Sequence, residues 1–138
     1  MFDDERERLS EALLDRIAAC DAVVPAHWIL EVTNGLLLAA RRGRLRRPDE
    51  DIEILERLGA LTIRVDPETA THGWRETPFL ARRLGLTTYD AAYLELAIRL
   101  DAPLATLDTE LARAARLAGV APVIDESQDP GSPDRRIT

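Results

Sequence analysis

Three carboxylates stand in settings that ask for a reason. They are Glu31 within Trp28-Ile29-Leu30-Glu31-Val32-Thr33-Asn34, Asp90 within Thr87-Thr88-Tyr89-Asp90-Ala91-Ala92-Tyr93, and Asp108 closing Leu104-Ala105-Thr106-Leu107-Asp108. Each lies at or inside an apolar segment, where an unpaired charge is costly and a hard cation held by oxygen ligands would relieve the cost. On a helix, Glu31 shares a face with Asn34 and Gly35, while Ile29, Val32 and Leu36 form the apolar face. A carboxylate beside an amide suits an oxygen-ligand site, and an ordinary solvated glutamate has the same pattern. Asp90 falls in a first helical turn, where free N–H groups and the helix dipole favour the ionised form that a Mg²⁺ ligand must adopt. A first-turn aspartate that only stabilises its helix looks the same. Asp108 taken alone is most simply an N-cap.

The elements that would position these groups alternate in type. Asp3 to Ala19 has Leu9, Leu13, Leu14 and Ile17 at helical spacing. Asp21 to Ala26 reads as a short buried strand ended by Pro25, and a helix from His27 to Arg42 stops at Gly43. Another helix starts at Arg47-Pro48-Asp49 and reaches Leu58, and Leu61 to Val65 is a second strand. Pro67 to Leu84 is helical but interrupted, with Gly73 and Pro78 as the breakers. Thr88 is expected to cap a helix from Tyr89 to Leu100, followed by a strand over Pro103 to Leu107, a helix over Thr109 to Leu117 ended by Gly119, and a strand over Val120 to Ile124. The alternation predicts an α/β fold with a mostly parallel central sheet flanked by helices. Ligands gather at the carboxyl ends of the strands in such sheets, so the three carboxylates would meet at one rim. Residues 1–125 are expected to form one domain, and 126–138 a disordered tail with too little apolar matter to pack.

Bulk properties narrow the classes. A chain of 138 residues, 46% of them hydrophobic, can bury one sizeable core. No apolar run approaches the roughly 18 residues of a membrane span, so the expected location is the cytoplasm. The single cysteine, Cys20, permits no internal disulfide. His27 and His72 lack the close partners of a zinc site, and no phosphate-binding glycine loop or nucleophile elbow is present. His27 reads as a helix-start residue. The formal charge of −7 excludes a protein that holds nucleic acid by a broad basic field. The cluster Arg41, Arg42, Arg44, Arg46 and Arg47 is the exception, either a local grip on phosphates or a solvated helix end whose cations suit the dipole.

Taken in order, Val24-Pro25-Ala26 leading into Trp28 to Asn34, Leu86 to Leu94 around Asp90, and Ala105-Thr106-Leu107-Asp108 followed by Leu111 resemble the PIN-domain ribonucleases, in particular the VapC toxins of toxin-antitoxin pairs. The resemblance runs from Asp3 to Ile124. It implies a Mg²⁺- or Mn²⁺-dependent endoribonuclease whose Glu31, Asp90 and Asp108 are the catalytic metal ligands, with Asn34 and Thr106 in support. A cognate antitoxin and a homodimer are implied as well, and Arg41 to Arg47 become RNA or partner contacts. In the family, a hydrophobic strand ending in an aspartate precedes the first helix. Here only Met1 and Phe2 stand ahead of Asp3, so the first central strand and its ligand are expected to be missing from this chain. A start trimmed upstream is the favoured account, over a remnant or a strand supplied in trans. Two competing functions follow. One is a catalytically impaired PIN-like protein that retains antitoxin binding and dimerisation; the other is a metal-dependent hydrolase of DNA or another phosphate ester, since the same carboxylate chemistry serves any phosphodiester.

Overall fold

A computed structural model of the chain describes residues 21–45 and 49–123. The helix expected over Asp3 to Ala19, Cys20, the residues Arg46, Arg47 and Pro48, the last residue of the strand expected to end at Ile124, and the tail over 126–138 lie outside the described residues.

Strand β1 (Ala22–Val24) is buried at all three positions, as expected of a short β-branched run with helices over it. Helix α1 (Trp28–Arg41) follows the turn at Pro25. It ends where Gly43 adopts φ 64°, a left-handed conformation that costs glycine nothing. That turn lets the Arg44 N–H donate to the Ala39 carbonyl at 3.0 Å, which closes the helix. Helix α2 (Glu50–Gly59) leads into β2 (Ile63–Val65), which pairs in parallel with β1 in the register Ala22 to Ile63, Val23 to Arg64 and Val24 to Val65.

The segment expected to be an interrupted helix is α3 (Thr69–His72) and α4 (Glu76–Leu84). Gly73 separates them, but Pro78 does not break anything. It stands in the first turn of α4, where a missing N–H costs little because the first four have no intrahelical acceptor. Helix α5 (Thr88–Leu100) also corrects an expectation: Thr87, and not Thr88, is its N-cap, with the Thr87 hydroxyl accepting from the Asp90 N–H at 3.1 Å. Strand β3 (Leu104–Ala105) is shorter than the sequence indicates. Helix α6 (Thr109–Leu117) follows, and β4 (Pro122–Val123) pairs in parallel with β3.

The architecture is α/β with parallel strands, but the single central sheet is divided. Among the described residues the strands form two separate two-stranded sheets, β1 with β2 and β3 with β4. The core lies under α5 and α6, where Leu94, Ala97, Leu104, Leu111, Ala114, Ala115 and Val120 are packed together. Alanines on the facing sides of the two helices let the backbones approach closely, so Leu94 and Leu104 are fully enclosed. Helix α1 contributes no buried residue, and Ile29, Leu30 and Leu37 of its apolar face are exposed. No helix among the described residues is long and apolar enough to cross a membrane.

Side chains tie the first sheet to helix α5. Asp66, just past β2, takes the Arg99 guanidinium in a two-pronged contact, with Nη1 to Oδ1 at 3.0 Å and Nη2 to Oδ2 at 2.7 Å. Arg99 also bonds Glu95 through Nε at 2.8 Å and Nη2 at 3.0 Å. Thr69 adds a hydroxyl bond to Asp66 Oδ2 at 3.0 Å and accepts from the Ala26 N–H at 3.0 Å. Asp66 and Glu95 are both buried, and every buried side-chain polar atom among the described residues has a partner.

Arg99 holds the Asp66 carboxyl below the usual carboxylate range, with further lowering from the Glu68 N–H and Thr69. The stability this supplies is fully present above the unfolded pKa near 4 and is lost as pH falls through the lower folded value. Arg99→Ala is therefore expected to cost about 3 kcal/mol in denaturant unfolding at neutral pH, because it strands two buried carboxylates. The acid branch of the variant's stability curve should be shallower than that of the parent chain; equal acid sensitivity in the two would contradict the assignment.

Candidate functional site

The start of α5 is where the chemistry collects. Asp90 is half-buried one turn into this helix, and burial and the negative charge of Asp108 raise its pKa. A hydrogen bond from Thr87 and the nearby His27 act in the opposite direction. The helix-start stabilisation read from the sequence is thus outweighed, because the group is partly desolvated and faces a like charge.

Asp108 comes from the turn after β3. Its Oδ1 accepts from the Glu110 N–H at 2.9 Å and the Leu111 N–H at 3.4 Å, so it is the N-cap of α6. The cap leaves Oδ2 outside those two bonds. Thr106 braces the same turn by accepting from the Asp108 N–H at 3.0 Å.

Glu31 approaches from α1. Its Oε1 lies 2.9 Å from His27 Nε2 and receives the Tyr93 hydroxyl at 3.4 Å. His27 occupies the N-cap position of α1 without capping it. The ring instead reaches across to α5, where Nε2 lies 3.1 Å from the Tyr89 carbonyl. Ring centroids stand 5.9 Å from Tyr89 and 5.2 Å from Tyr93, the second edge-on at 72°. Burial, then the charge and hydrogen bond of Glu31, then Asp90, push the Tyr93 phenol well above its ordinary range. Tyr93 is therefore subject to the charge of both carboxylates and stays a hydrogen-bond donor.

The sequence-predicted residues are brought together unequally. Asp90 and Asp108 act directly on one another, and Glu31 joins them through Tyr93. Among the described residues, however, no three His, Cys, Asp or Glu side chains converge tightly enough to hold one ion. Glu31 lies against His27 and Tyr93. Nor are all three carboxylates buried in apolar surroundings: Glu31 and Asp108 are exposed, and only Asp90 is held up by burial. Asn34 is exposed on α1 and takes no part in the Glu31 contacts. Arg41, Arg42 and Arg44 are exposed at the far end of that helix.

Tyr89, Tyr93 and Thr87 were not singled out by sequence reasoning. A signal existed in the two tyrosines, which flank Asp90 on one helix at i−1 and i+3, and in the His27 and Glu31 pair at i, i+4. What joins them is a contact across 62 residues, which no local spacing encodes.

The donor chemistry of the rim fits a small hard cation. Asp90 and Asp108 offer carboxylate oxygens that repel each other, and a divalent ion between them would turn that repulsion into attraction. Mg²⁺ commonly takes one or two protein carboxylates and keeps several waters.

Comparison with known proteins identifies the family. A PIN domain model matches residues 1–117. The chain is also similar to ribonuclease VapC3 of Pyrobaculum aerophilum, with 39% identity over 82 residues. The match covers 59% of this chain and spans 62% of the length of that relative.

The raised pKa of Asp90 carries a stability penalty in the metal-free protein. Its folded value lies above its unfolded one, so the penalty is fully present above the folded pKa and vanishes below the unfolded pKa. Asp90→Asn is accordingly expected to raise the melting temperature of the metal-free chain at neutral pH, with the advantage shrinking in acid. A lower melting temperature at neutral pH, measured in the presence of chelator, would show that the ionised carboxylate stabilises its helix after all.

Proposed function

The chain belongs to the PIN domain family, and on that footing we propose that it is a Mg²⁺- or Mn²⁺-dependent endoribonuclease acting in the cytoplasm as the toxin of a toxin-antitoxin pair. The observation that carries the proposal is the match of the PIN domain model to residues 1–117, with Asp90 at the start of α5 near enough to Asp108 at the start of α6 that the charge of Asp108 adds to the burial that raises the Asp90 pKa. A like-charge pair on a half-buried rim has an evident use in binding a divalent cation. The similarity to a ribonuclease of the VapC kind supports RNA as the substrate and a cognate antitoxin as the partner.

Asp90 and Asp108 are the residues that would hold the metal, with Glu31 as the third acidic group of the site. When bound, the metal supplies Lewis-acid polarisation of the scissile phosphate and activation of water for in-line attack. The protein's own groups do the positioning. Thr106 and the α6 cap fix the Asp108 carboxylate, Thr87 fixes the first turn that carries Asp90, and Tyr93 stays protonated under the charge of Glu31 and Asp90. Asn34 is assigned a supporting role on the helix of Glu31. Arg41, Arg42 and Arg44, with Arg46 and Arg47, are assigned to phosphate or partner contacts, and the working form is assigned as a homodimer.

Labelled RNA incubated with the purified chain and Mn²⁺ or Mg²⁺ is expected to be cut, and cleavage should fall on the order of 100-fold in Asp90→Asn. Excess chelator should abolish it. Persistent cleavage in chelator would sink the metal-dependent reading. A folded sample that cuts nothing yet co-purifies with a small partner would select the catalytically impaired interaction protein instead, and preference for a matching DNA oligonucleotide would move the substrate. The acidic net charge limits recognition to a few arginines, so the salt dependence of RNA binding should be shallow.

A further inference from the structure

We propose that helix α4 and the turn before it form a platform for single-stranded RNA, on which Trp74 and Phe79 stack unpaired bases while Arg82 and Arg83 hold the phosphates that lead to the Asp90 rim. The choice of RNA rests on the ribonuclease reading, and the platform on the side chains that α4 leaves open.

The chain has only two tryptophans, two phenylalanines and two tyrosines, and burying such a ring is among the largest gains a side chain offers a fold. Trp74 is nevertheless 88% exposed and Phe79 79% exposed. The ring contacts among the described residues involve His27 and the tyrosines, and neither of these two rings. Phe79 forms one wall of an open groove of about 590 Å³, lined also by Arg75, Leu80 and Ile98, a size that admits a flat heterocycle. The polar side chains of the groove are engaged with one another, His72 with Glu76 at 2.9 Å and Arg99 with Glu95 at 2.8 Å. An incoming group therefore meets aromatic and aliphatic surface and no free hydrogen-bonding pattern. Stacking works on such a surface, because every base has a π-face.

Charge points to the same occupant. On a chain of net charge −7, the stretch from Gly73 to Gly85 carries Arg75, Arg82 and Arg83 against Glu76 alone. All three arginines are exposed. Arg82 and Arg83 stand at i+3 and i+4 from Phe79 and so neighbour it on the helix surface. Among the described residues neither side chain has a partner, whereas Glu76 is held by His72. The last turn of α4 runs through Gly85, at φ 69°, into the first turn of α5, which carries Asp90. A strand with its bases on the two rings and its phosphates on the arginines is thus led to the acidic rim with its own charge neutralised. A second copy docked on this face about a two-fold axis would set the arginines of one chain against those of the other, and duplex RNA has no free base faces to offer.

The test is a titration of the full chain with single-stranded RNA in excess chelator, read by tryptophan emission and by the anisotropy of labelled RNA, so that metal-dependent cleavage does not enter. Emission is expected to be quenched as the RNA saturates. Trp74→Ala should lose most of the quenching and raise Kd about 10-fold, and Phe79→Ala should raise Kd by a similar factor. Trp74→Phe, which keeps a ring and removes the reporter, should lose the quenching while Kd stays within about threefold. Arg82→Gln combined with Arg83→Gln should reduce the slope of log Kd against log salt by about 1.4. An unchanged Kd in both alanine variants would overturn the platform, as would equal affinity for the matching duplex. A tryptophan emission that shifts with protein concentration without RNA, together with a doubled sedimenting mass that Trp74→Ala abolishes, would give the face to a second copy and also overturn it. RNA that quenches Trp74 but is not cut when Mn²⁺ is restored would fail the ribonuclease reading and leave the platform standing. A wild-type chain that neither binds nor cuts RNA would overturn both.

Discussion

Asp66 and Glu95 are buried carboxylates, and the guanidinium of Arg99 pairs with both of them in the interior. A planar fork with five N–H donors can serve two carboxylates at once, which an ammonium could not do with the same geometry. The clamp joins the end of β2 to the last turn of α5. Because β1 and β2 share no strand pairing with β3 and β4 among the described residues, this is one of the few places where the halves are held by directional bonds. Within the first half, the Asp66 N–H donates to the Val24 carbonyl at 2.8 Å and holds the clamp's carboxylate against β1.

Helix α5 is the element on which both the clamp and the site depend. Arg99 stands near its C-terminal end and Asp90 near its start, about 13 Å apart at the rise of an α-helix. Between them Ala91, Ala92, Leu94, Leu96 and Ala97 are buried, so the helix cannot shift without breaking core contacts. Rigidity at one end is thereby delivered to the other. It is needed there, since Asp90 faces Asp108 and two negative charges left free to move would separate. Burial first, and then the charge of Asp108, raise the pKa of Asp90.

The same helix explains the arrangement of Glu31. Helix α1 buries none of its residues, so its own packing cannot fix the carboxylate. The fixing comes from His27 seated against Tyr89 and Tyr93, contacts that use the faces and hydroxyls of α5 side chains adjacent to Asp90. A weakly anchored helix is oriented at its functional point by the best-anchored one.

Local physics made much of this legible in the residues alone. Gly43 and Gly119 mark two helix ends because each takes a positive φ. Asp108 caps α6 because a short acceptor just ahead of a helix satisfies free N–H groups. The alternation of strands and helices, the three carboxylates and the family likeness needed no coordinates. Where local signals competed, sequence reasoning slipped: two adjacent threonines offered the same cap and Thr87 took it, and Pro78 looked like a breaker although a first turn tolerates it. The long-range pairs were out of reach. Arg99 with Asp66 across 33 residues and His27 with Tyr89 across 62 depend on which faces the packing turns toward each other. The sequence by itself determined the elements, their caps and the acidic character of the site, since those follow from interactions within a turn or two. Only the tertiary structure decided which carboxylate faces a like charge and which lies against an imidazole and a phenol. Partner choice over such distances is set by the burial of α5, a property of the whole core and of no single segment.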